Sequence, residues 1–344
     1  MSLDASAFNP NDAASGDGLF GLPHSAEQAA VVVLPVPWEV TVSYRAGTAR
    51  APDAIRRASL QVDLFDADFP DAWKKGFCLL KPDQRIGRRN ERLRPMAEEY
   101  INHLHQTGKP LKKHLEKINE GCAWLHDTVR QHADRWLEAG KKVVLLGGDH
   151  STPLGLLQAL AQRHERFGIL QLDAHCDLRK DYEGFIYSHA SIMYQAMHLP
   201  QIARLVQVGI RDYCEEEVLR IQESHGRIVA FYDRDLKRRL YGGSSWLSIC
   251  AQMVDALPEK VYVSFDVDAL DPKLCPNTGT PVPGGLEFEQ ALTLLWMVVQ
   301  SGRTLIGCDL NEVSVGNAKK RSDDTWDAIV GARLLYRLAC LLAA

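Results

Sequence analysis

Three potential metal ligands stand at every second position after a short apolar run. The run covers 168–172, and Asp173, His175 and Asp177 follow it directly. Because side chains alternate between the two faces of a strand, Asp173 and His175 would leave the end of one strand on the same side. The turn that follows can bring Asp177 back to them. Carboxylates this close repel one another unless a cation lies between them, so the segment predicts half of a metal site.

Two other segments supply candidates for the second half. His150 comes shortly after the apolar run 143–146, while Asp266 and Asp268 follow the run 261–265. The carboxyl ends of parallel strands meet at one edge of a sheet, where functional residues gather. Four carboxylates and two imidazoles suit two divalent ions, which would activate a water molecule at neutral pH. A ligand set that is rich in oxygen and lacks cysteine favours Mn²⁺ over a structural Zn²⁺.

The elements that must position these residues follow a regular rhythm of short apolar runs and longer helical segments. The predicted strands are 30–34, 143–146, 168–172, 205–210, 228–231, 261–265 and 304–308, and predicted helices lie around 152–164, 187–198, 213–224, 245–257, 286–300 and 324–343. Strands that are apolar on both faces and alternate with helices are typical of a mainly parallel sheet covered on both sides. The pattern therefore predicts a single α/β domain.

The remaining segments are less regular. Residues 1–27 are rich in small and polar residues, so we expect a flexible arm ahead of a domain over 28–344. Proline at position 52 suits the first turn of a helix. The stretch 81–113 is highly charged and predicts loop mixed with an exposed helix, and an amphipathic helix over about 115–139 follows it.

Composition limits the class of protein. With 46% hydrophobic and 24% charged residues in 344, the chain is typical of a soluble globular protein, and its net charge of −4 favours neither nucleic acid nor a membrane surface as partner. No apolar run approaches the roughly 20 residues of a membrane-spanning helix. The eight cysteines form no C-x-x-C pair, and no secretory signal opens the chain, so we expect reduced thiols in the cytoplasm.

Three motifs together resemble the metal motifs of the ureohydrolases, the arginase–agmatinase family. They are Gly147-Gly148-Asp149-His150-Ser151, Asp173-Ala174-His175-Cys176-Asp177 and Ser264-Phe265-Asp266-Val267-Asp268-Ala269-Leu270-Asp271-Pro272. The resemblance runs from about Val31 to the C-terminus and is interrupted over about 82–125, which we expect to be an insertion. It implies a three-layer α/β/α fold, two Mn²⁺ ions per chain, hydrolysis of a guanidino group to urea and an amine, and a homotrimer or homohexamer.

Within that family the chain is most similar to agmatinases. The segments 178–191 and 278–285 both resemble agmatinase motifs, and Arg179 stands where arginases have an asparagine that helps to hold the amino-acid carboxylate. Arginine is therefore disfavoured as substrate. Formimidoylglutamases usually differ in the first and third motifs. The resemblance implies agmatine, hydrolysed to putrescine, as the leading substrate, with guanidinobutyrate, guanidinopropionate and free guanidine as alternatives.

The resemblance also implies roles for residues outside the metal motifs. Glu312 matches the glutamate that pairs with the guanidinium group, and a carboxylate suits a planar cation because it accepts two parallel N–H bonds. His189 matches the histidine that passes a proton to the leaving amine, since imidazole titrates near neutral pH. Asp309 is expected to orient the metal ligands. Asn311 and the segment 314–316 depart from the family pattern, which leaves the substrate open.

The far end of the substrate can be recognised in two ways. A carboxylate would need a cation such as Arg179, with Arg45 or Lys180 as alternatives, whereas the ammonium group of agmatine would prefer Asp181 or Glu183. Two other classes of protein compete with this interpretation. A zinc deacetylase of related fold would bind one metal, and a silent regulator of polyamine metabolism would be expected to lose site residues. Ni²⁺ remains an alternative to Mn²⁺.

Overall fold

The computed structural model of the chain describes residues 8–14, 17–316 and 326–344. Residues 1–7 and 15–16 of the predicted arm lie outside the described residues, as do the first two positions of the helix predicted over 324–343. None of the helices in the described part of the chain combines the length and the hydrophobicity needed to cross a bilayer.

Eight strands in the described ranges form one parallel sheet. They are Val31–Val36 (β1), Phe77–Leu79 (β2), Lys142–Gly147 (β3), Phe167–Leu172 (β4), Ile202–Ile210 (β5), Ile228–Tyr232 (β6), Lys260–Asp266 (β7) and Thr304–Asn311 (β8). Their order in the sheet is β2-β1-β3-β8-β7-β4-β5-β6, and every pairing is parallel. The predicted parallel sheet is confirmed, and β8, the last of these eight strands in chain order, lies between β3 and β7.

Helices cover the sheet on both faces. They are Ala51–Ala58 (α1), Gln84–Thr107 (α2), Lys112–Glu138 (α3), Leu154–Ala161 (α4), Ile192–Ala196 (α5), Glu215–Glu223 (α6), Asp233–Tyr241 (α7), Trp246–Asp255 (α8), Phe288–Gln300 (α9) and Trp326–Ala343 (α10). Val31 and Val33 of β1 pack in one hydrophobic cluster with α1, α8, α9 and α10. Val32 and Leu34 pack in a second cluster with α2, α3, α4 and α5. This alternation confirms the three-layer α/β/α arrangement.

Several elements differ from the sequence prediction. β2 has three residues, too few for a readable period, and α7 was not predicted. Part of the predicted arm is packed: Leu19, Phe20 and Leu22 are buried, and the Phe20 ring lies 4.9 Å from that of Tyr336. Burial of these apolar side chains removes them from water, so this part of the arm is held against the domain.

The charged stretch 81–113 contains a complete helix, whereas loop mixed with an exposed helix was predicted. α2 continues through Pro95 and buries Ile86, Leu93 and Tyr100 on one face. It packs closely on α3 because Gly121 has no side chain: a Cβ atom there would lie 2.2 Å from Leu93 Cδ1. The high charge belongs to the solvated face of an amphipathic helix. That residues 82–125 are an insertion stays a prediction.

Candidate active site

His150 lies at the centre of three carboxylates. Its Nδ1 atom is 3.0 Å from Asp173 Oδ2, 3.0 Å from Asp177 Oδ2 and 3.2 Å from Asp266 Oδ2. A ring nitrogen carries at most one hydrogen, so hydrogen bonds cannot satisfy three carboxylate oxygens at once. Nδ1 has no hydrogen-bond partner among the described residues, and it is buried. These four side chains fit a divalent cation between them.

The tautomer of His150 agrees with this interpretation. The hydroxyl of Ser264 donates a hydrogen bond to Asp309 Oδ1 over 3.1 Å, and its oxygen lies 2.9 Å from His150 Nε2. Since that hydroxyl hydrogen is used, the Ser264 oxygen accepts the hydrogen of Nε2. Nδ1 is then left with a lone pair directed at the carboxylates, as a metal ligand requires. Asp309 therefore acts on His150 through Ser264.

His175 forms a second group that shares Asp173 with the first. Its Nδ1 atom is 3.0 Å from Asp268 Oδ2 and 3.5 Å from Asp173 Oδ1. The potential ligand atoms lie within 4.8 Å of one another both in His150, Asp173 and Asp266 and in Asp173, His175 and Asp268. All the predicted ligands thus come together at the carboxyl edge of the sheet. Two groups joined by one aspartate fit a pair of divalent ions bridged by a carboxylate.

The pKa values of the clustered side chains indicate that the cluster favours positive charge. Burial lowers the pKa of His150 and of His175, but the neighbouring aspartates outweigh burial and raise both pKa values well above the usual value. Burial and the charge of Asp173 raise the pKa of Asp177 to about 7. Without a cation, protons would therefore be held inside the cluster near neutral pH. Divalent ions can supply the same positive charge.

Two site residues have left-handed backbone conformations that are unusual for residues other than glycine. φ is +55° at Asp177 and +61° at Glu312. The Asp177 carbonyl accepts hydrogen bonds from the N–H groups of Met193 and Tyr194, each of 3.1 Å. The Glu312 carbonyl accepts one from the Thr278 hydroxyl over 2.9 Å. Such strain persists only where the surroundings hold it, and it is concentrated at functional sites.

Glu312 presents a buried carboxylate next to the metal ligands. Its Oε1 atom accepts the backbone N–H of His150 over 2.8 Å. Burial and the charge of Asp149 raise the pKa of Glu312 well above its usual range. A Cβ atom at Gly279 would lie 3.4 Å from Glu312 Oε2 and 3.5 Å from the Arg45 carbonyl. Glycine at this position therefore leaves space beside the second carboxylate oxygen.

A cavity of about 170 Å³ opens over the cluster. Its lining residues are Ser43, His175, Asp177, Arg179, Tyr182, His189, Ala190, Asp212, Tyr213, Glu217 and Thr280. His189 is partly buried in this wall, where burial, followed by the charges of His175 and His150, lowers its pKa to about 3. The imidazole of His189 is thus neutral at physiological pH. The cavity brings this base and two candidate metal ligands to the same small space.

The predicted residues for the far end of the substrate are divided between the cavity and a nearby turn. Arg179 lines the cavity, and its guanidinium carbon lies 5.4 Å from the centre of the Tyr182 ring. The carboxylate of Asp181 accepts the N–H of Gly184 over 3.1 Å. The carboxylate of Glu183 lies 2.5 Å from His105 Nε2 on α2. The carboxylate of Asp181 is therefore engaged within the turn, and that of Glu183 is engaged by α2.

Sequence reasoning missed other residues that line the cavity. Asp212 is exposed at the mouth, two residues after β5 ends, so the strand-end rule applied to that strand would have found it. Glu217 also lines the cavity, but its two oxygens accept the N–H groups of Leu178 and Cys214, each over 3.0 Å. Asp212 is thus the carboxylate that faces the mouth, while Glu217 holds the loop that follows Asp177.

Comparison with known proteins gives a consistent picture. A model described as the arginase family matches residues 29–340. The chain is 35% identical over 289 residues to the N(1)-aminopropylagmatine ureohydrolase of Thermus thermophilus, with 84% of each chain covered. It is 30% identical over 325 residues to the agmatinase of Proteus mirabilis, with 94% of this chain and 90% of the relative covered. The crystal structure of an agmatine ureohydrolase of Thermoplasma volcanium has the same fold, with a TM-score of 0.71 at 23% identity over 98% of this chain and 96% of that one.

Proposed function

Because the chain belongs to the arginase family and is a ureohydrolase, a hydrolase of C–N bonds in guanidino compounds, we propose that it releases urea from a guanidino amine. Agmatine, giving putrescine, is the leading substrate. N(1)-aminopropylagmatine is the second candidate, supported by the similarity to the Thermus enzyme. The observation that carries the proposal is the pair of His–Asp groups joined by Asp173 beneath a cavity that also holds His189.

Two Mn²⁺ ions are the proposed cofactor. His150, Asp173 and Asp266 would hold one ion, with Asp177 beside them, and Asp173, His175 and Asp268 would hold the other. Ions bound there would polarise the substrate and lower the pKa of a water molecule. Six side chains that offer oxygen and imidazole ligands support Mn²⁺, with Ni²⁺ as the alternative.

Glu312 is the proposed partner of the guanidinium group. One of its oxygens is held by the His150 N–H, and the other lies beside the space left by Gly279. A carboxylate in this position can accept N–H bonds from a planar cation. The bound cation would also favour the ionised form, against the effect of burial on the Glu312 pKa.

His189 is the proposed carrier of the proton for the leaving amine. Since its lowered pKa keeps the ring neutral, it would first take a proton from the water molecule that attacks the guanidino carbon and then give it to the nitrogen that leaves. Asp309 is proposed to act indirectly, because it holds Ser264 and thereby the ring of His150.

The negative charge of Asp212 at the mouth of the cavity supports a substrate with an amine at its far end. Asp212 is exposed at the lining, where an ammonium group would meet it. Arg179 is the feature that would favour a carboxylate, but its guanidinium lies over the Tyr182 ring. We therefore place the guanidino amines ahead of guanidinobutyrate, guanidinopropionate and free guanidine.

The test is urea release from a panel of guanidino compounds, measured with manganese-loaded and nickel-loaded protein. The panel contains agmatine, N(1)-aminopropylagmatine, the two guanidino acids, free guanidine and arginine. The highest kcat/KM is expected for one of the two amines with manganese. A higher kcat/KM for a guanidino acid would overturn the proposed substrate assignment. Urea release from none of the compounds would overturn the proposed activity.

Two further properties belong to the proposal. The eight cysteines are free thiols, which supports a reducing compartment such as the cytoplasm. A homotrimer or homohexamer is proposed from the resemblance to the family. Sedimentation of the manganese-loaded protein would measure the assembly, and a monomer at micromolar concentration would contradict it.

A further inference from the structure

We propose that the hairpin formed by α2 and α3 positions both loops that border the cavity, and that it thereby sets the selectivity among guanidino substrates. The inference rests on the proposed function. The first cavity loop is residues 37–47, which contains Ser43, and the second cavity loop is residues 178–190, which contains Arg179, Tyr182 and His189.

α2 holds the first cavity loop through its backbone. The side-chain carbonyl of Asn90 accepts the N–H of Glu39 over 2.8 Å. The guanidinium of Arg94 donates to the carbonyl of Val40 over 3.2 Å and also to that of Val42. These bonds lie immediately before Ser43 in the chain. The position of this side of the cavity therefore depends on α2.

The second cavity loop contains a tight turn with unusual backbone angles. Tyr182 and Phe185 exchange backbone hydrogen bonds of 3.1 and 2.9 Å across the two residues between them. Those residues have positive φ angles, +55° at Glu183 and +87° at Gly184. Two positive φ values in a two-residue loop are typical of a type I′ turn. A positive φ angle costs glycine little free energy but is unfavourable for glutamate. The turn therefore needs external support at Glu183.

The hairpin supplies that support from both of its helices. The hydroxyl of Tyr100 on α2 donates to the Glu183 carbonyl over 2.8 Å. The side-chain amide of Asn119 on α3 donates to the Gly184 carbonyl over 3.1 Å, and its oxygen accepts the N–H of Ile186 over 3.0 Å. Three backbone groups within residues 183–186, two in the turn and one directly after it, are thus bonded to the hairpin.

The position of the turn determines the position of an aromatic side chain in the cavity wall. Tyr182 begins the turn, and its ring centre lies 6.0 Å from that of His189 and 5.4 Å from the guanidinium carbon of Arg179. A shift of the turn would move the Tyr182 ring relative to both residues. When a residue of the site is misplaced by about 1 Å, the reaction rate can change by about a hundredfold, even if the mutation lies far from the reacting atoms.

The packed pair of helices α2 and α3 holds both loops. α2 and α3 pack directly against each other at Gly121 and Leu93. The bonds from α2 to the first loop and from both helices to the second loop therefore fix the two walls of the cavity relative to each other. Because Ile186 is exposed and Gly184 is partly exposed, water can replace the bonds made by Asn119. Loss of those bonds should thus loosen the turn more than it destabilises the fold.

The experiment compares Asn119→Ala and Tyr100→Phe with Glu116→Ala, an exposed control position on the same helix as Asn119. Tyr100→Phe removes one hydroxyl and keeps the ring that packs on Phe185 at 5.1 Å. Both test variants are expected to raise KM for agmatine about tenfold while kcat changes less. The ratio between the kcat/KM values for agmatine and N(1)-aminopropylagmatine should move closer to one. Glu116→Ala should behave as the wild type in both measurements.

Hydrogen–deuterium exchange gives a readout that does not depend on activity. Asn119→Ala should accelerate exchange in residues 178–190 and leave 37–47 unchanged, whereas Asn90→Ala should accelerate exchange in 37–47. Unchanged exchange in both variants would overturn the inference. Faster exchange with unchanged KM and selectivity would also overturn it, because the bonds would then be structural only. A wild type without urea release from any guanidino compound would refute the proposed function instead, and that result is distinct from either outcome.

Discussion

The side-chain amide of Asn311 donates a hydrogen bond of 2.5 Å to Oδ1 of Asp309. The same oxygen accepts the Ser264 hydroxyl, and Ser264 in turn faces Nε2 of His150. Asn311 also accepts a hydrogen bond of 2.8 Å from the Thr152 hydroxyl. Asn311, one of the departures from the family pattern, therefore stands at the start of a buried polar chain that ends at a candidate metal ligand.

Replacement of Asn311 by leucine should weaken metal binding. Without the amide donor, the Asp309 carboxylate loses one bond and keeps those from Ser264 and the N–H of Phe265. Ser264 should then orient the Nε2 hydrogen of His150 less firmly, so the affinity for Mn²⁺ should fall by about tenfold to a hundredfold. Calorimetric titration of metal-free protein would measure this affinity. Thr152→Ser keeps the hydroxyl and serves as the matched control. Equal Mn²⁺ affinity in Asn311→Leu and wild type would show that the chain does not orient His150.

Removal of a ligand from the first His–Asp group should abolish urea release. His150→Ala and Asp266→Ala each take away one of the four side chains that surround one proposed ion, and the expected loss is about a thousandfold or more. Metal analysis should show fewer than two Mn²⁺ ions per chain. His198→Ala, in a loop after α5, is the control and should keep both metal and activity. Wild-type activity in the ligand variants would refute the assignment.

Acid should release the metal. In the metal-free protein the pKa of Asp177 is raised to about 7, and the pKa values of His150 and His175 are raised well above their usual value. Binding of a cation must displace these protons, so Mn²⁺ affinity should fall as pH decreases through 7. Titrations at pH 6 and 8 in two buffers of different ionisation enthalpy would measure the protons released. An affinity independent of pH would contradict the described electrostatics.

The same pKa shifts predict the stability of the metal-free protein. Groups with raised folded-state pKa values bind more protons when folded, so their contribution to the free energy of unfolding is lost as pH rises. For Asp177 this loss falls between its ordinary pKa near 4 and about 7, and for His150 and His175 it lies above about 6.5. The melting temperature of metal-free protein should therefore decrease between pH 5 and 9. A melting temperature that rises with pH would contradict the prediction.

Neutralisation of Asp212 should impair the hydrolysis of guanidino amines more than that of guanidino acids. If the distal ammonium group bonds to this carboxylate, Asp212→Asn should raise KM for agmatine by about tenfold or more. KM for guanidinobutyrate should stay the same or fall. Asp235→Asn on α7 removes a partly exposed carboxylate outside the cavity lining and provides the control. A parallel loss with both substrate types would exclude a charge contact at the far end of the substrate.

The sequence predicted best those features that local pattern determines. Asp173 and His175 could be placed on one face because strand periodicity is local, and the strand-end rule brought them to His150 and Asp266. The backbone angles of Asp177 and Glu312 could not be predicted, because bonds from distant residues hold them. An exposed helix mixed with loop was predicted over 81–113 because of its high charge, but the full extent of α2, which continues through Pro95, was not predicted. Asp181 and Glu183 were assigned to the substrate, but the turn and α2 engage their carboxylates, which only the three-dimensional contacts reveal.

The position of β8 has a consequence for the order of assembly during synthesis. β3 and β7 are separated by this strand, which is the last of the eight to leave the ribosome. The strands that precede His150 and Asp266 therefore cannot take their final places until residues 304–311 have been inserted between them. Contacts so distant in the chain form slowly. The candidate metal site can consequently be complete only after residues 304–311 have been made, and until then the sheet has a gap at its middle.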